Sequence, residues 1–388
     1  MRPFEAIFVP GDAVDAVSDR AWLGALLDAE RALVNAASLA GLVPAAAAAA
    51  VAAACDADRY DPGRLAEEGR AAGNPVEPLV RAIRAQAGEA NAGYVHRGAT
   101  SQDILDTAAM LVARRACGVV DGQLDAVADL CAAAADAHRT TVMAGRTLLQ
   151  HAVPTTFGLK AAGWLVAVVE ARRRLATVAA ALPAQLGGAG GTMAAFGARG
   201  PELLRLYAAE VELAEPTVTW HTLRTPVTDL AGALAGTAGA LGKIATDVIL
   251  LSQTEVGEVA EAEGGASSTM PHKRNPIAAV LADACVRHVR ASTAVLFESA
   301  VQEHERAAGA WHAEWSALSS ALAATAGAAA AVRRSLDGLQ VDAERMRANI
   351  SADVLSEAER LGIAAKRPED YLGSADALID RALALYRG

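Results

Sequence analysis

Gly264-Gly265-Ala266-Ser267-Ser268-Thr269-Met270-Pro271-His272-Lys273-Arg274-Asn275-Pro276 is the stretch around which the chain is organised. Polar groups are dense there, and helical periodicity stops. Adjacent glycines permit backbone conformations that other residues resist. Pro271 and Pro276 block a regular helix between them and favour a fresh start after the second. Ser267 and Ser268 bring hydroxyls, Lys273 a charge, and Asn275 an amide two residues further on. A hydroxyl beside a fixed ammonium suits proton transfer next to a bound carboxylate. By composition alone, a solvated connection between two helices fits equally well.

On both sides of this stretch the apolar spacing is helical. Before it, Leu241, Ile244, Val248, Leu251 and Val259 belong to a long helix over roughly 225–261. After it, Pro276 opens a helical pattern to about Ala308, with a kink at Gly309 and a continuation to Leu336. Further upstream, a helix covers 12–41, with Trp22, Leu23, Leu26, Leu27, Leu33 and Val34 near one face. Pro44 opens an alanine-rich helix to about Asp56, ordered because alanine carries the least helical penalty. Ser101 is positioned to cap a helix of about forty residues, and Pro154 to open one over 153–182. No segment alternates with period two, so no strand is expected. A forty-residue helix spans ~60 Å and is stabilised by side-by-side packing. The fold class is therefore all-α with a long central helical bundle.

The chain has 388 residues, 53% hydrophobic but only 4% aromatic, with a net charge of −10. There is no basic face of the kind nucleic acid requires. An acidic substrate is compatible with that charge if its pocket is locally basic. Cys55, Cys117, Cys131 and Cys285 form no CxxC pair, and they read as small buried hydrophobes in a reducing compartment. Met1-Arg2-Pro3-Phe4-Glu5 is no signal peptide, and the uncharged run 38–55 is too weakly apolar for a membrane span. The expectation is a soluble, cytoplasmic protein with neither membrane nor nucleic-acid partner.

Three other segments carry candidate chemistry. In His96-Arg97-Gly98-Ala99-Thr100-Ser101-Gln102-Asp103, the free N–H groups of a helix start attract anions. Thr100 and Ser101 either cap that helix or contact a ligand, and His96 is either packed or a ligand contact. Gly145-Arg146-Thr147-Leu148-Leu149-Gln150-His151 precedes Pro154-Thr155-Thr156. Gly187-Gly188-Ala189-Gly190-Gly191 has no flanking strand and reads as a loop, not a phosphate cradle. Trp311, Glu314 and Trp315 fit aromatic packing at an interface better than catalysis, and His304 and His312, eight apart, form no metal pair.

Ser-Ser-Thr-Met-Pro-His-Lys-Arg-Asn-Pro resembles the signature loop G-S-S-x-M-P-x-K-x-N of the fumarase/aspartase superfamily, with Ala266 in place of a glycine. His96, Thr100 and Ser101 match its H-x-G-x-T-S-x-D motif, and Thr147 and Gln150 its T-H-x-Q segment. Within the superfamily the chain is most similar to the bacterial 3-carboxy-cis,cis-muconate cycloisomerases, with the adenylosuccinate lyases next. The resemblance implies a three-domain fold, divided here as 1–100, 101–340 and a shortened 341–388. It also implies a homotetramer in which each active site draws its motifs from three chains. Ser267 is then the proton-transfer group and Lys273 its activating charge. His96, Thr100, Ser101, Thr147, Gln150, His151, Ser268, Met270 and Asn275 hold a small tricarboxylate. Neither metal nor organic cofactor is implied.

One departure discriminates among relatives. The lyases carry a general-acid histidine where this chain has Leu148, and its partner glutamate where this chain has Val280, seven residues after Lys273. An amine or hydroxide leaving group needs that acid. A carboxylate nucleophile, with a pKa of about 4, arrives already ionised. Cycloisomerisation is the expected activity; an adenylosuccinate-type C–N lyase and a non-catalytic helical scaffold are the alternatives.

Overall fold

The computed structural model describes residues 5–263, 265–266 and 273–388. Five long helices make the centre: Ser101–Ala137, Phe157–Ala180, Thr225–Ser252, Ile277–Glu298 and Ala310–Leu336. They pack lengthwise on one another. The first is 37 residues long. Its early turns, Gln102 to Ala113, are buried all round. Beyond them only Ala116, Cys117, Val120, Leu124, Val127, Ala128, Cys131 and Ala135 are buried, a one-face stripe at helical period. The helix therefore starts inside the molecule and ends on its surface. Helix–helix contacts are close because alanine and glycine dominate them: a Cβ on Gly327 would lie 2.6 Å from the Phe8 carbonyl oxygen.

Two of these helices, Thr225–Ser252 and Ala310–Leu336, are long and apolar enough to cross a membrane. Their apolar windows are 56% and 67% buried within the chain, as in core helices of a bundle. Asp19–Leu39, capped by Ser18 through a 3.2 Å bond from Ala21 N, packs on Ser101–Ala137 and on Gly200–Glu210. The last helix, Ala375–Arg387, packs on Phe157–Ala180.

The all-α class holds, but several boundaries differ from expectation. The 12–41 pattern splits at Ser18 into Gly11–Ala16 and Asp19–Leu39. Thr100, not Ser101, is the N-cap of the long helix, and Ser101 is its first residue. Pro154 lies in a strand, and the following helix starts at Phe157 with Thr156 as its cap. Thr225–Ser252 stops nine residues short of 261. The helix after Pro276 ends at Glu298, and Gly309, at φ 118°, caps a separate helix rather than kinking one. Among the described residues three antiparallel two-stranded pairs occur where none was expected: Val142–Thr147 with Gln150–Thr156, Val259–Ala260 with Gln340–Val341, and Gly265–Ala266 with Arg274–Asn275. Each brackets or braces a candidate segment.

Candidate active site

The start of helix Ser101–Ala137 gathers the first group. Asp103, in the first turn and fully buried, accepts four hydrogen bonds: Thr100 N at 2.9 Å, Gly187 N at 2.8 Å, Gly188 N at 2.9 Å and His221 Nε2 at 2.7 Å. A carboxylate there offsets the positive helix end. The glycine-rich segment is a loop, as expected, and its amides hold this protein carboxylate. Only glycine fits at 187, because a Cβ would sit 2.7 Å from His221 Cε1. Thr100 and Ser101 are half-buried beside it.

His96 adopts φ 59°, a left-handed conformation that a non-glycine residue takes only when its surroundings impose it. Its Nδ1–H donates to Glu30 Oε1 at 2.5 Å. Glu30 is 1% exposed, and among the described residues its Oε2 has no hydrogen-bond partner. Burial alone would lower the imidazole pKa. The Glu30 charge, its hydrogen bond and Asp103 more than offset this, so the pKa is raised.

One turn further along, Asp106 takes Arg224 through both oxygens, at 2.8 and 3.1 Å, and Trp311 Nε1 at 3.0 Å. Arg224 also binds Glu314 at 2.9 and 2.5 Å, and Gln302 adds a bond to Glu314 at 2.8 Å. Burial disfavours the guanidinium charge, but Asp106 and Glu314 outweigh it and hold it firmly protonated. Burial pushes the Glu314 carboxyl up more than Arg224 pulls it down. Within the chain, Trp311 donates to Asp106 and Glu314 pairs with Arg224.

The second group sits on the Val142–Thr147/Gln150–Thr156 hairpin. Thr147 pairs with Gln150, and Leu148 and Leu149 form a two-residue turn with φ 50° and 65°. Such turns favour Asn-Gly, and leucine is strained there. Leu148 is 97% and Leu149 73% exposed, and Thr147, Gln150 and His151 are exposed beside them. The stem is fixed by Arg146, which binds the fully buried Glu258 at 2.9 and 2.5 Å, while Asn349 Nδ2 binds the same carboxylate at 2.8 Å.

The third group flanks the signature stretch. Gly265–Ala266 pairs with Arg274–Asn275, and Asn275 Nδ2 donates to the Gly265 carbonyl at 3.3 Å. A Cβ on Gly265 would lie 2.2 Å from Ile277 Cγ1, so a side chain there would collide. Buried Glu261 accepts from Ala278 N at 3.0 Å and Ala279 N at 2.9 Å, pinning the start of helix Ile277–Glu298 across the loop base. Lys273 is exposed. Ser267, Ser268 and Met270 lie outside the described residues.

Within one chain, then, His96, Thr100 and Ser101 come together, as do Thr147, Gln150 and His151, and Lys273 and Asn275. Among the described residues no hydrogen bond or ion pair joins one group to another. Nor does any cluster of His, Cys, Asp or Glu there offer a metal-ion site. Sequence reasoning missed Glu30, Asp103, His221, Arg224, Glu258 and Glu261. Glu30 did leave a signal, as a lone carboxylate on the apolar face that carries Leu26, Leu27, Leu33 and Val34. Among the described residues two imidazole–carboxylate couples are present, Glu30–His96 and Asp103–His221; neither involves position 148 or 280.

The family described as Lyase matches residues 12–290. The chain is 52% identical over 349 residues to the nitrosuccinate lyase of Streptomyces davaonensis, covering 86% of this chain and 74% of that protein. It is 44% identical over 372 residues to the 3-carboxy-cis,cis-muconate cycloisomerase of Bradyrhizobium diazoefficiens, covering 93% and 81%. The crystal structure of 3-carboxy-cis,cis-muconate lactonizing enzyme from Pseudomonas putida superposes with a TM-score of 0.92 at 36% identity, over 100% of this chain and 99% of that one. With its signature segments, its central bundle and these relatives, the chain belongs to the lyase family of the fumarase/aspartase superfamily.

Proposed function

We propose that the chain interconverts 3-carboxy-cis,cis-muconate and 4-carboxymuconolactone, a step of protocatechuate (beta-ketoadipate) breakdown, as a cytoplasmic homotetramer with shared active sites. The observation that carries this reading is the Leu148–Leu149 turn. Where the superfamily's lyases hold a proton donor, this chain presents two exposed leucines at a hairpin tip. Val280, 46% exposed in the first turn of its helix, is equally unable to act on a proton.

In the lactonising direction a substrate carboxylate oxygen bonds to carbon, and the carbon beside another carboxylate takes a proton. Ser267 delivers that proton and recovers it in reverse, its hydroxyl activated by Lys273. Charge building on the adjacent carboxylate as an aci-carboxylate is stabilised by Lys273, Asn275, Thr100 and Ser101. His96, Thr147, Gln150, His151, Ser268 and Met270 hold and orient the tricarboxylate. The Glu30–His96 couple acts on a carboxylate and not on the bond that breaks. Residues 1–100, 101–340 and 341–388 are the three domains of this reading, with assembly through the central one.

A second reading is favoured by the 52% identity to nitrosuccinate lyase. Elimination from nitrosuccinate would expel nitrite, the anion of an acid about as strong as a carboxylic acid, so the same acid-free site would serve. Loss of muconate absorbance and release of nitrite from nitrosuccinate, assayed on the same purified protein, separate the two. Turnover of nitrosuccinate alone moves the assignment to that lyase, and turnover of neither removes both. Ser267→Ala is expected to abolish turnover while leaving assembly intact. Near-full rate in that variant would take Ser267 out of the mechanism.

A further inference from the structure

We propose that Glu30 is a positioning residue for the active site, fixing the His96 imidazole so that Nε2–H is its donor to a substrate carboxylate. This rests on the reading above, in which His96 holds substrate. A carboxylate acceptor keeps a proton on Nδ1, so Nε2 carries a proton of its own only in the imidazolium, the form that the Glu30 charge favours across the 2.5 Å contact. Among the described residues Nε2 has no protein partner, and His96 keeps 14% of its side chain exposed.

The surroundings of Glu30 argue against a purely structural role. It lies on the apolar face of helix Asp19–Leu39, where an ionised carboxylate is strongly disfavoured unless paired. His96 is its partner, and no other described residue bonds to Oε2. A glutamine or an apolar residue would be the simpler way to pack that position. The groups facing the pair come from four elements. Asp103, on helix Ser101–Ala137, favours the imidazolium. Arg84, on helix Val76–Ala87, opposes it while donating to the Val95 carbonyl at 3.3 Å. Tyr207 and Cys55 face Glu30 as neutral groups: burial raises the Tyr207 phenol and pushes the Cys55 thiol up to about 12. The imidazolium therefore persists above the pH at which a free histidine loses its proton.

The test compares Glu30→Gln, His96→Asn and the double variant. Wild-type kcat/KM for the tricarboxylate is expected to fall as pH rises through the His96 pKa. Glu30→Gln removes the charge but keeps the shape. It should move that limb about one pH unit or more toward acid, since an adjacent opposite charge shifts a pKa by roughly 1–3 units. At slightly alkaline pH the loss should be about tenfold, and it should appear in KM, with kcat little changed. In the His96→Asn background, Glu30→Gln should have no further effect on the limb. Carbon-13 histidine resonances, read without substrate, should show His96 titrating above its ordinary range in wild type and markedly lower in Glu30→Gln. If His96 titrates alike in both, or the limb still shifts without His96, the inference falls. Because the resonance measurement needs no turnover, a protein inactive on muconate would refute the functional reading and leave this test standing.

Discussion

Arg224→Met isolates the energetics of the buried charges under the candidate site. Arg224 is the cation between Asp106 and Glu314, with side chains 2%, 2% and 4% exposed. Removing it leaves two carboxylates facing each other without a counter-charge. Breaking a buried pair in this way costs about 3–5 kcal/mol. At ~2.1 cal/mol/K of unfolding entropy per residue, the 388-residue chain should lose about 4–6 °C in Tm. The pH dependence has a definite sign. Without the guanidinium, both carboxyls bind a proton more readily folded than unfolded, so the variant loses stability as pH rises through and above the carboxylate range. Each unit by which a folded pKa is raised is worth about 1.4 kcal/mol. The deficit measured by circular dichroism should therefore be largest near pH 8 and roughly half as large near pH 5. Adding Glu314→Gln should recover part of it at pH 8. A Tm within about 1 °C of the parent at pH 8, or a larger deficit at pH 5, would refute the reasoning.

Three further outcomes are expected. Gly265→Ala should depress kcat through the 2.2 Å collision with Ile277, and Ile277→Ala in the same chain should restore it; failure of the second change to rescue would exclude that collision as the cause. The four buried cysteines should resist a thiol reagent at pH 8 until the protein is denatured, because burial pushes Cys55, Cys117 and Cys131 up to about 12 and Cys285 up to about 11; mass spectrometry of the native protein reads this directly. The raised His96 pKa contributes stability that is complete below the unfolded value of about 6.5 and is lost as pH rises through the folded value. The stability difference between wild type and Glu30→Gln should therefore be greatest at mildly acid pH and shrink above neutrality, as measured by urea titration.

The sequence was most informative where chemistry is local. The signature stretch, the His96–Asp103 motif and the long helices are each written in contiguous residues or in helical spacing. The Val142–Thr156 hairpin was hidden because nothing in it alternates and its turn is Leu-Leu, where Asn-Gly would have announced it. Helix ends were overrun at Ser252 and Glu298, because apolar residues continue past both without a proline or glycine at the stop. The buried charges were invisible for a different reason. Arg224 meets Asp106 118 residues away and Glu314 90 residues away, and Glu30 meets His96 across 66. Such pairings exist only once the bundle has formed, and no window along the chain contains them.

The openness of positions 148 and 280 bears on how the missing proton donor stays missing. Leu148 is almost wholly solvent-facing within the chain and Val280 nearly half so, so histidine and glutamate would meet no steric barrier there. Leucine and histidine codons, like those of valine and glutamate, can differ by one middle base. Within this chain the fold would admit both the histidine and the glutamate. Folding of this chain places no demand for an aliphatic residue at either position, so the identity of both is left to the chemistry and assembly proposed for the site.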